Sequence, residues 1–223
     1  MIQLELVKRT DPRYQAMRDR HYIPNRGQHG QQCHYLIWDN DEHVGIISGA
    51  GALYGVAARD AFFSLPSGSA KEIMLNGIVH NTVFRLEQTR PNLATQVLAK
   101  WRKLIAEDWF RLYDVRVAGF ETLVIPDLRD QSMTDRLGTL YLADNWTFCG
   151  RTFGNTKVHG KGGLNAAHGR AETAKKFLYC YRCKKVPFPT SYTSTWNSNT
   201  PETRAIERRR TAAKRQLLAR GPV

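Results

Sequence analysis

Apolar and polar positions repeat with two periods along the chain, and the period changes mark its elements. Ile2, Leu4 and Leu6 alternate with polar residues, as in a half-buried strand. Asp11 followed by Pro12 supplies a cap and a first-turn proline, predicting a helix to about Arg20. Residues 34–38 and 43–47 read as two strands around the turn Asp39-Asn40-Asp41-Glu42. A small-residue stretch over 48–55 and a short helix over 56–63 follow, and residues 76–86 are strand-like. Leu93, Val97, Leu98, Trp101, Leu104, Ile105 and Leu112 recur at spacings that predict one long helix after Pro91-Asn92. Residues 116–120 predict a strand ending in Glu121-Thr122, and 138–145 a short helix. A strand over 146–149, a glycine-rich loop over 150–170 and a last strand over 176–183 complete the body.

This order predicts an α+β fold with α/β character, a central mixed sheet with one dominant helix packed on it. The domain is expected over residues 1–185. An uncharged Pro/Ser/Thr/Asn-rich linker is expected over 186–200 and a basic tail or helix over 201–223. No apolar run is long enough for a membrane span, and residues 1–10 lack a secretory signal. Four cysteines in 223 residues are not a disulfide scaffold, so an intracellular location is expected.

Charge changes the picture. Residues 1–150 hold 17 Lys+Arg and 17 Asp+Glu, whereas residues 151–223 hold 16 Lys+Arg against Glu172, Glu202 and Glu207, so this segment carries the whole +13. A neutral body with a cationic end points to a polyanion such as nucleic acid, the alternative being a solvated basic tail. Arg151, Lys157, Lys161, Arg208, Arg209, Arg210, Lys214 and Arg215 are the candidate DNA-binding residues.

Candidate chemistry gathers around the polar loop 21–32. His21-Tyr22 begins it and His34-Tyr35 follows it, with Asn25 inside. Glu121 lies at a predicted strand end, where α/β sites assemble. Asn81 and Arg85 are four apart in a strand, which predicts one shared face. Cys180 and Cys183 have zinc-like spacing, but strand alternation sends them to opposite faces and no second pair accompanies them, so no zinc site is expected there. No Walker loop, nucleophile elbow or dinucleotide fingerprint occurs.

Several long strings resemble one family. They are DRHYIPNRGQHGQQCHYLI (19–37), GIISGAGALYGVAARDAFF (45–63), NGIVHNTVFRLE (76–87), PNLATQVL (91–98) with Trp101-Arg102-Lys103, AGFET (118–122) and GTLYLADNWTFCGRT (138–152). From about residue 5 to 158 the chain resembles the Mom DNA-modification proteins of Mu-type bacteriophages. The resemblance implies a phage enzyme of the host bacterial cytoplasm with a GNAT-like acyltransferase fold. It implies conversion of adenine's exocyclic amine in DNA to a carbamoylmethyl derivative, which protects phage DNA from host restriction.

Such an enzyme must extrude a stacked base or act on unpaired DNA, accept the amine proton and polarise an electrophile. His34 assisted by Glu121 is the expected proton acceptor, with His21, Tyr22 and Tyr35 beside it. Asn81, Tyr54, Tyr141 and Asn145 are expected at the base. Arg85, Arg90 and Asn92, near the start of the long helix, are expected to hold an anionic part of the donor. Acetyl-CoA-binding relatives of this fold place a glycine-rich turn before that helix. Here the turn is Gln88-Thr89-Arg90-Pro91-Asn92-Leu93, without glycine and with a proline that has no N–H. Glycyl-tRNA is therefore the favoured donor and acetyl-CoA the alternative, with double-stranded DNA, and tRNA with the first donor, as partners. The competing functions are a non-catalytic basic DNA-binding module and an acetyl-CoA-dependent N-acetyltransferase.

Overall fold

The computed structural model describes residues 1–21, 30–125, 138–152, 155–158, 169–172, 176–191 and 201–219. Its strands are β1 (Ile2–Val7), β2 (Gln32–Asp39), β3 (Glu42–Gly51), β4 (Ile78–Leu86), β5 (Gly119–Val124), β6 (Thr147–Arg151), β7 (Asn155–Val158), β8 (Gly169–Glu172) and β9 (Phe177–Arg182). The helices are α1 (Pro12–Asp19), α2 (Ala57–Phe63), α3 (Ser69–Leu75), α4 (Leu93–Tyr113), α5 (Thr139–Ala143) and α6 (Pro201–Ala219). Seven strands form one sheet in the order β1-β2-β3-β4-β5-β9-β6. Among these neighbours only β4 and β5 run parallel, joined through α4; the others are antiparallel. This is the expected mixed sheet with one long helix packed on it.

Local chemistry accounts for the elements. Asp11 caps α1, its side chain accepting the Arg13 N–H at 2.9 Å. The apolar stripe of α4 buries Leu93, Val97, Leu98, Trp101, Leu104, Ile105, Trp109 and Leu112 against one face of the sheet. Gly49 permits that approach: a Cβ there would meet Ile105 Cδ1 at 2.4 Å and Val79 Cγ1 at 2.7 Å. On the opposite face, α1 covers Leu36, Ile46 and Val83, while Phe63 of α2 covers Ile78, Leu178 and Cys180.

Four expectations change. Residues 119–124 form β5, so Glu121 and Thr122 sit within the strand and are paired on both sides. Part of the expected loop 150–170 is the two-stranded sheet β7-β8. Helix α3, absent from the sequence-based elements, joins α2 between β3 and β4. The basic C-terminal helix is present, but it is not detached: α6 packs on α4 and β1, with Leu218 against the main core.

The feature that positions the site is a fork. β4 pairs with β5 only from Ile78↔Gly119 to Asn81↔Thr122. Beyond that, β4 stays with β3 as far as Leu86 and β5 stays with β9 as far as Val124. The register of β4 also slips, Ser48 pairing with Val83 but Gly49 with Asn81, so Thr82 is the extra residue of a bulge. The bulge inverts the alternation. Asn81 points to the α4 side, toward Tyr141, whereas Arg85 reaches the Arg20 carbonyl at the end of α1. The two do not share a face.

Candidate active site

Two polar groups occupy the α1/α2 face of the sheet, and each arises from strand register. The first is centred on Glu121, 1% exposed, in β5. Parallel pairing sets His80 of β4 directly beside it, with His80 Nδ1 3.2 Å from Glu121 Oε1. That ring nitrogen lies off the line of a good hydrogen bond and has no other partner among the described residues. Arg59 of α2, fully buried, donates from Nη1 to Glu121 Oε2 at 2.6 Å. Its Nη2 donates to the carbonyls of Leu53 at 2.5 Å and Tyr54 at 3.2 Å, and its Nε to Asp60 at 2.7 Å. The Leu53 N–H donates to Glu121 Oε1 at 3.2 Å. Lys71 of α3 closes the group on Asp60. Burial alone would raise the Glu121 pKa, but the His80 ring, the Arg59 charge and the Leu53 N–H together hold it below the ordinary carboxylate value. Glu121 is therefore an anion, and its charge has a cation and a backbone donor fixed on it.

The second group lies on β2, β3 and α1. Tyr14 Oη and Ser48 Oγ are 2.8 Å apart, and His34 Nδ1 is 3.1 Å from each. His34 Nε2 faces Gln32 Oε1 at 3.2 Å. Burial, with the positive charges of Arg9, Lys214 and Arg18, lowers the His34 pKa to about 4. The neutral imidazole is thus the native form near pH 7. The sign of the linkage follows from this depressed value: the unfolded chain, with an ordinary value near 6.5, binds the proton more tightly. This contribution to stability is complete above pH 6.5 and is lost as pH falls toward 4, by on the order of 3 kcal/mol. Urea midpoints measured from pH 7 to 4.5 should fall for the natural chain, and His34→Gln should flatten that fall.

The expected partnership of His34 with Glu121 is not formed. Three strand spacings, roughly 14 Å, separate their strands, and it is His80 that register places against the carboxylate. Tyr35 is also displaced from the site. Alternation turns it to the α4 face, where its hydroxyl, 0% exposed, donates to buried Asp108 at 2.8 Å. His21 is buried at the end of α1. Tyr22, Asn25 and Lys161 lie outside the described residues.

The residues expected at the base divide. Asn81 is occupied within the protein: Nδ2 donates to the carbonyls of Ser48 at 3.0 Å and Val83 at 3.1 Å, and Oδ1 accepts from Tyr141 Oη at 2.8 Å. It clamps the bulge and has no free edge for adenine. Tyr141 is buried, hydrogen-bonded to Asn81 and stacked on Tyr179. Asn145 is an exposed turn residue at φ 62° that ends α5. Tyr54 is exposed too, its carbonyl held by the same Arg59 that binds Glu121 and its ring centre 4.4 Å from Lys71 Nζ.

At the start of α4, Arg90 is held by Asp39 at 2.7 Å, and Arg85 by Glu87 at 2.6 Å. Asn92 takes the left-handed conformation, φ 61°, with no side-chain cap bond. The Leu93 N–H turns back to the Arg90 carbonyl at 3.2 Å. With Pro91 lacking an N–H and both guanidiniums paired, this turn does not fit a clamp for the diphosphate of coenzyme A.

The candidate DNA contacts fall at two edges. Arg151 ends β6 and stacks over Phe177, with Cζ 4.8 Å from the ring centre. Arg208, Arg209, Lys214 and Arg215 are exposed on α6, beside β1 at the other edge. Lys157 lies in β7 and Arg210 in α6, their side chains outside what is described. Cys180 packs on the α2 side and Cys183 on the α4 side, opposite faces as alternation requires. No helix among the described residues is long and apolar enough to cross a membrane.

Sequence reasoning missed Arg59, His80, Tyr14 and Ser48. Arg59 carried a usable signal: a lone cation in the mostly apolar run 56–63 marks a buried pair. His80 carried none, because only register with β5 brings it to Glu121.

Residues 1–190 match the model of the family described as Druantia protein DruA. No curated protein matches the chain. Among solved structures, the chain is similar to a Salmonella typhimurium acetyltransferase that modifies the N-terminal serine of a 50S ribosomal subunit protein. The identity is 12% over 69% of this chain, with a TM-score of 0.41, and the match spans 65% of that protein's length, less than two thirds. It is also similar to a Bacillus subtilis acetyltransferase in complex with CoA, at 10% identity over 82% of this chain and 99% of the other, TM-score 0.45. A third is the aminoglycoside 6'-N-acetyltransferase of Enterococcus faecium, at 10% identity over 83% and 98%, TM-score 0.45.

Proposed function

The chain belongs to the DruA family, and we propose that it is a transferase acting on the exocyclic amine of adenine in DNA, a Mom-type modification. The observation that carries the proposal is the buried His80–Glu121–Arg59 group beside the β4/β5 fork. Adenine's amine is a weak nucleophile, because its lone pair is delocalised into the ring. It needs a proton acceptor held in place as the new bond forms. His80, whose Nδ1 faces the fixed carboxylate, suits that role through its other ring nitrogen, Nε2. Glu121 stabilises the protonated imidazole, and Arg59 fixes the carboxylate. His34, neutral and enclosed by Tyr14, Ser48 and Gln32, supports the wall of the site.

The donor favoured by the glycine-free turn is an activated glycyl ester such as glycyl-tRNA. The amine nitrogen would bond to the ester carbonyl carbon, the carbon–oxygen ester bond would break, and the amine proton would pass through His80 to the departing ribose oxygen. The N-glycyl product is an isomer of the carbamoylmethyl product, so a rearrangement that adds and removes no atoms completes the change. Acetyl-CoA would instead leave an acetyl group.

Mass spectrometry of nucleosides from DNA of cells expressing the chain separates these outcomes. A deoxyadenosine gaining the glycyl composition, with fragmentation showing a terminal amide, is expected. An acetyl gain points to the acetyl-CoA route, and unmodified DNA to a binding module without this activity.

Duplex affinity is assigned to the exposed cations of α6. Replacing Arg208, Arg209, Lys214 and Arg215 with Gln should weaken DNA binding and reduce the log–log salt slope by about 0.9 for each phosphate that is no longer neutralised. Because these side chains are exposed, the melting temperature should change little. An unchanged slope would assign α6 a purely structural role.

A further inference from the structure

Antiparallel neighbours such as β3 and β4 can be joined by a two-residue turn. Here residues 52–77 intervene, carrying α2 and α3. The start of this insertion is held in an unusual way. Two fully buried charges, Arg59 and Glu121, spend most of their hydrogen bonds on the backbone of Leu53 and Tyr54. Burying an Arg–Glu pair is costly, so a rigidly gripped backbone should serve the side chains it presents. Those side chains point to solvent: Leu53 is 48% and Tyr54 54% exposed. Their backbone meets the Glu121–Arg59 pair, and the Leu53 N–H and His80 Nδ1 lie against the same Glu121 oxygen.

We propose that the Leu53–Tyr54 tip is the element that opens the duplex and holds the target base. The partner is double-stranded DNA with one adenine extruded. Leu53 enters the gap left in the stack, as apolar wedges do in bent duplexes. Tyr54 stacks on the extruded base. Lys71, paired with Asp60, lies over the Tyr54 ring and holds it in place. The buried Arg59–Glu121 pair is the strut that lets the tip push against a stacked helix without yielding. The shared carboxylate couples it to the proton acceptor, so the base arrives at His80. This proposal rests on the transferase assignment above.

Leu53→Ala, Tyr54→Ala and Tyr54→Phe test it, using the full chain and one adenine-containing sequence offered as duplex and as single strand. Both positions are exposed, so the fold should be retained, and thermal melts verify this. Leu53→Ala should lower duplex modification about tenfold more than single-strand modification. Tyr54→Ala should lower both, and Tyr54→Phe should restore both, since stacking needs the ring and not the hydroxyl. In parallel, a duplex with 2-aminopurine in place of adenine should brighten on binding the natural chain and not the Leu53→Ala variant. Natural-level duplex modification by both alanine variants would overturn the proposal while leaving the transferase assignment intact. Leu53-dependent brightening without modification of any DNA would uphold the tip's role and overturn the transferase assignment. Absence of both signals with the natural chain would overturn both.

Discussion

Replacing Arg59 with Met should lower the melting temperature by about 6–20 °C. The substitution removes the guanidinium that donates to Glu121 and leaves behind a carboxylate that is 1% exposed. Breaking a buried pair from one side costs about 3–5 kcal/mol, because the remaining charge keeps its desolvation penalty. For a chain of this size each kcal/mol shifts the melting temperature by about 2–4 °C. The Leu53 and Tyr54 carbonyls also lose their donor. Adding Glu121→Gln to Arg59→Met should recover much of the loss, since a neutral amide carries no such penalty. Thermal unfolding of the single and double variants decides this. If the single variant melts within about 2 °C of the natural chain, Glu121 is not held as an anion by Arg59.

His80→Ala should reduce DNA modification by about 10²- to 10⁴-fold, the range typical of a lost general base. DNA affinity should be unchanged, because the α6 cations are untouched. The loss should therefore appear in the rate at saturating DNA and not in binding. His34→Gln should cost far less, since His34 lies two strands away from His80. The opposite ranking, with His34→Gln inactive and His80→Ala active, would move the proton acceptor to β2. Single-turnover rates with each variant at excess DNA give the comparison directly.

The buried pair and the base share Glu121, so stability and activity are coupled at one residue. The depressed Glu121 pKa means that its stabilising charge is present above the ordinary carboxylate range and is lost as pH falls through the folded value. Acid should therefore weaken the insertion's grip on Leu53 and Tyr54 and the support for His80 together.

Local pattern was enough for much of this protein. The stripe from Leu93 to Leu112 specified α4, because an amphipathic helix buries whatever recurs at three and four. Asp11-Pro12 specified the start of α1 through capping alone. The one-sided charge needed no coordinates, since it is a property of composition along the chain. Glu121 was legible as a candidate carboxylate at the end of a strand, though it lies within β5.

Its partners were not legible, because they are set by which strands pair and in what register. His80 meets Glu121 only because β4 and β5 run parallel and in step from Ile78 to Asn81. Adjacent residues took opposite fates for the same reason: His34 faces α1 and Tyr35 the core, one side of a pleat each. A single extra residue at Thr82 separated Asn81 from Arg85, which four-residue spacing had placed together. Arg59 reached the site through the packing of α2, a short helix whose own pattern does not say which sheet face it covers. Periodicity reports how a segment lies against its nearest surface. Chemistry between segments distant in sequence is decided by pairing, bulges and docking, and these exist only once the chain has folded.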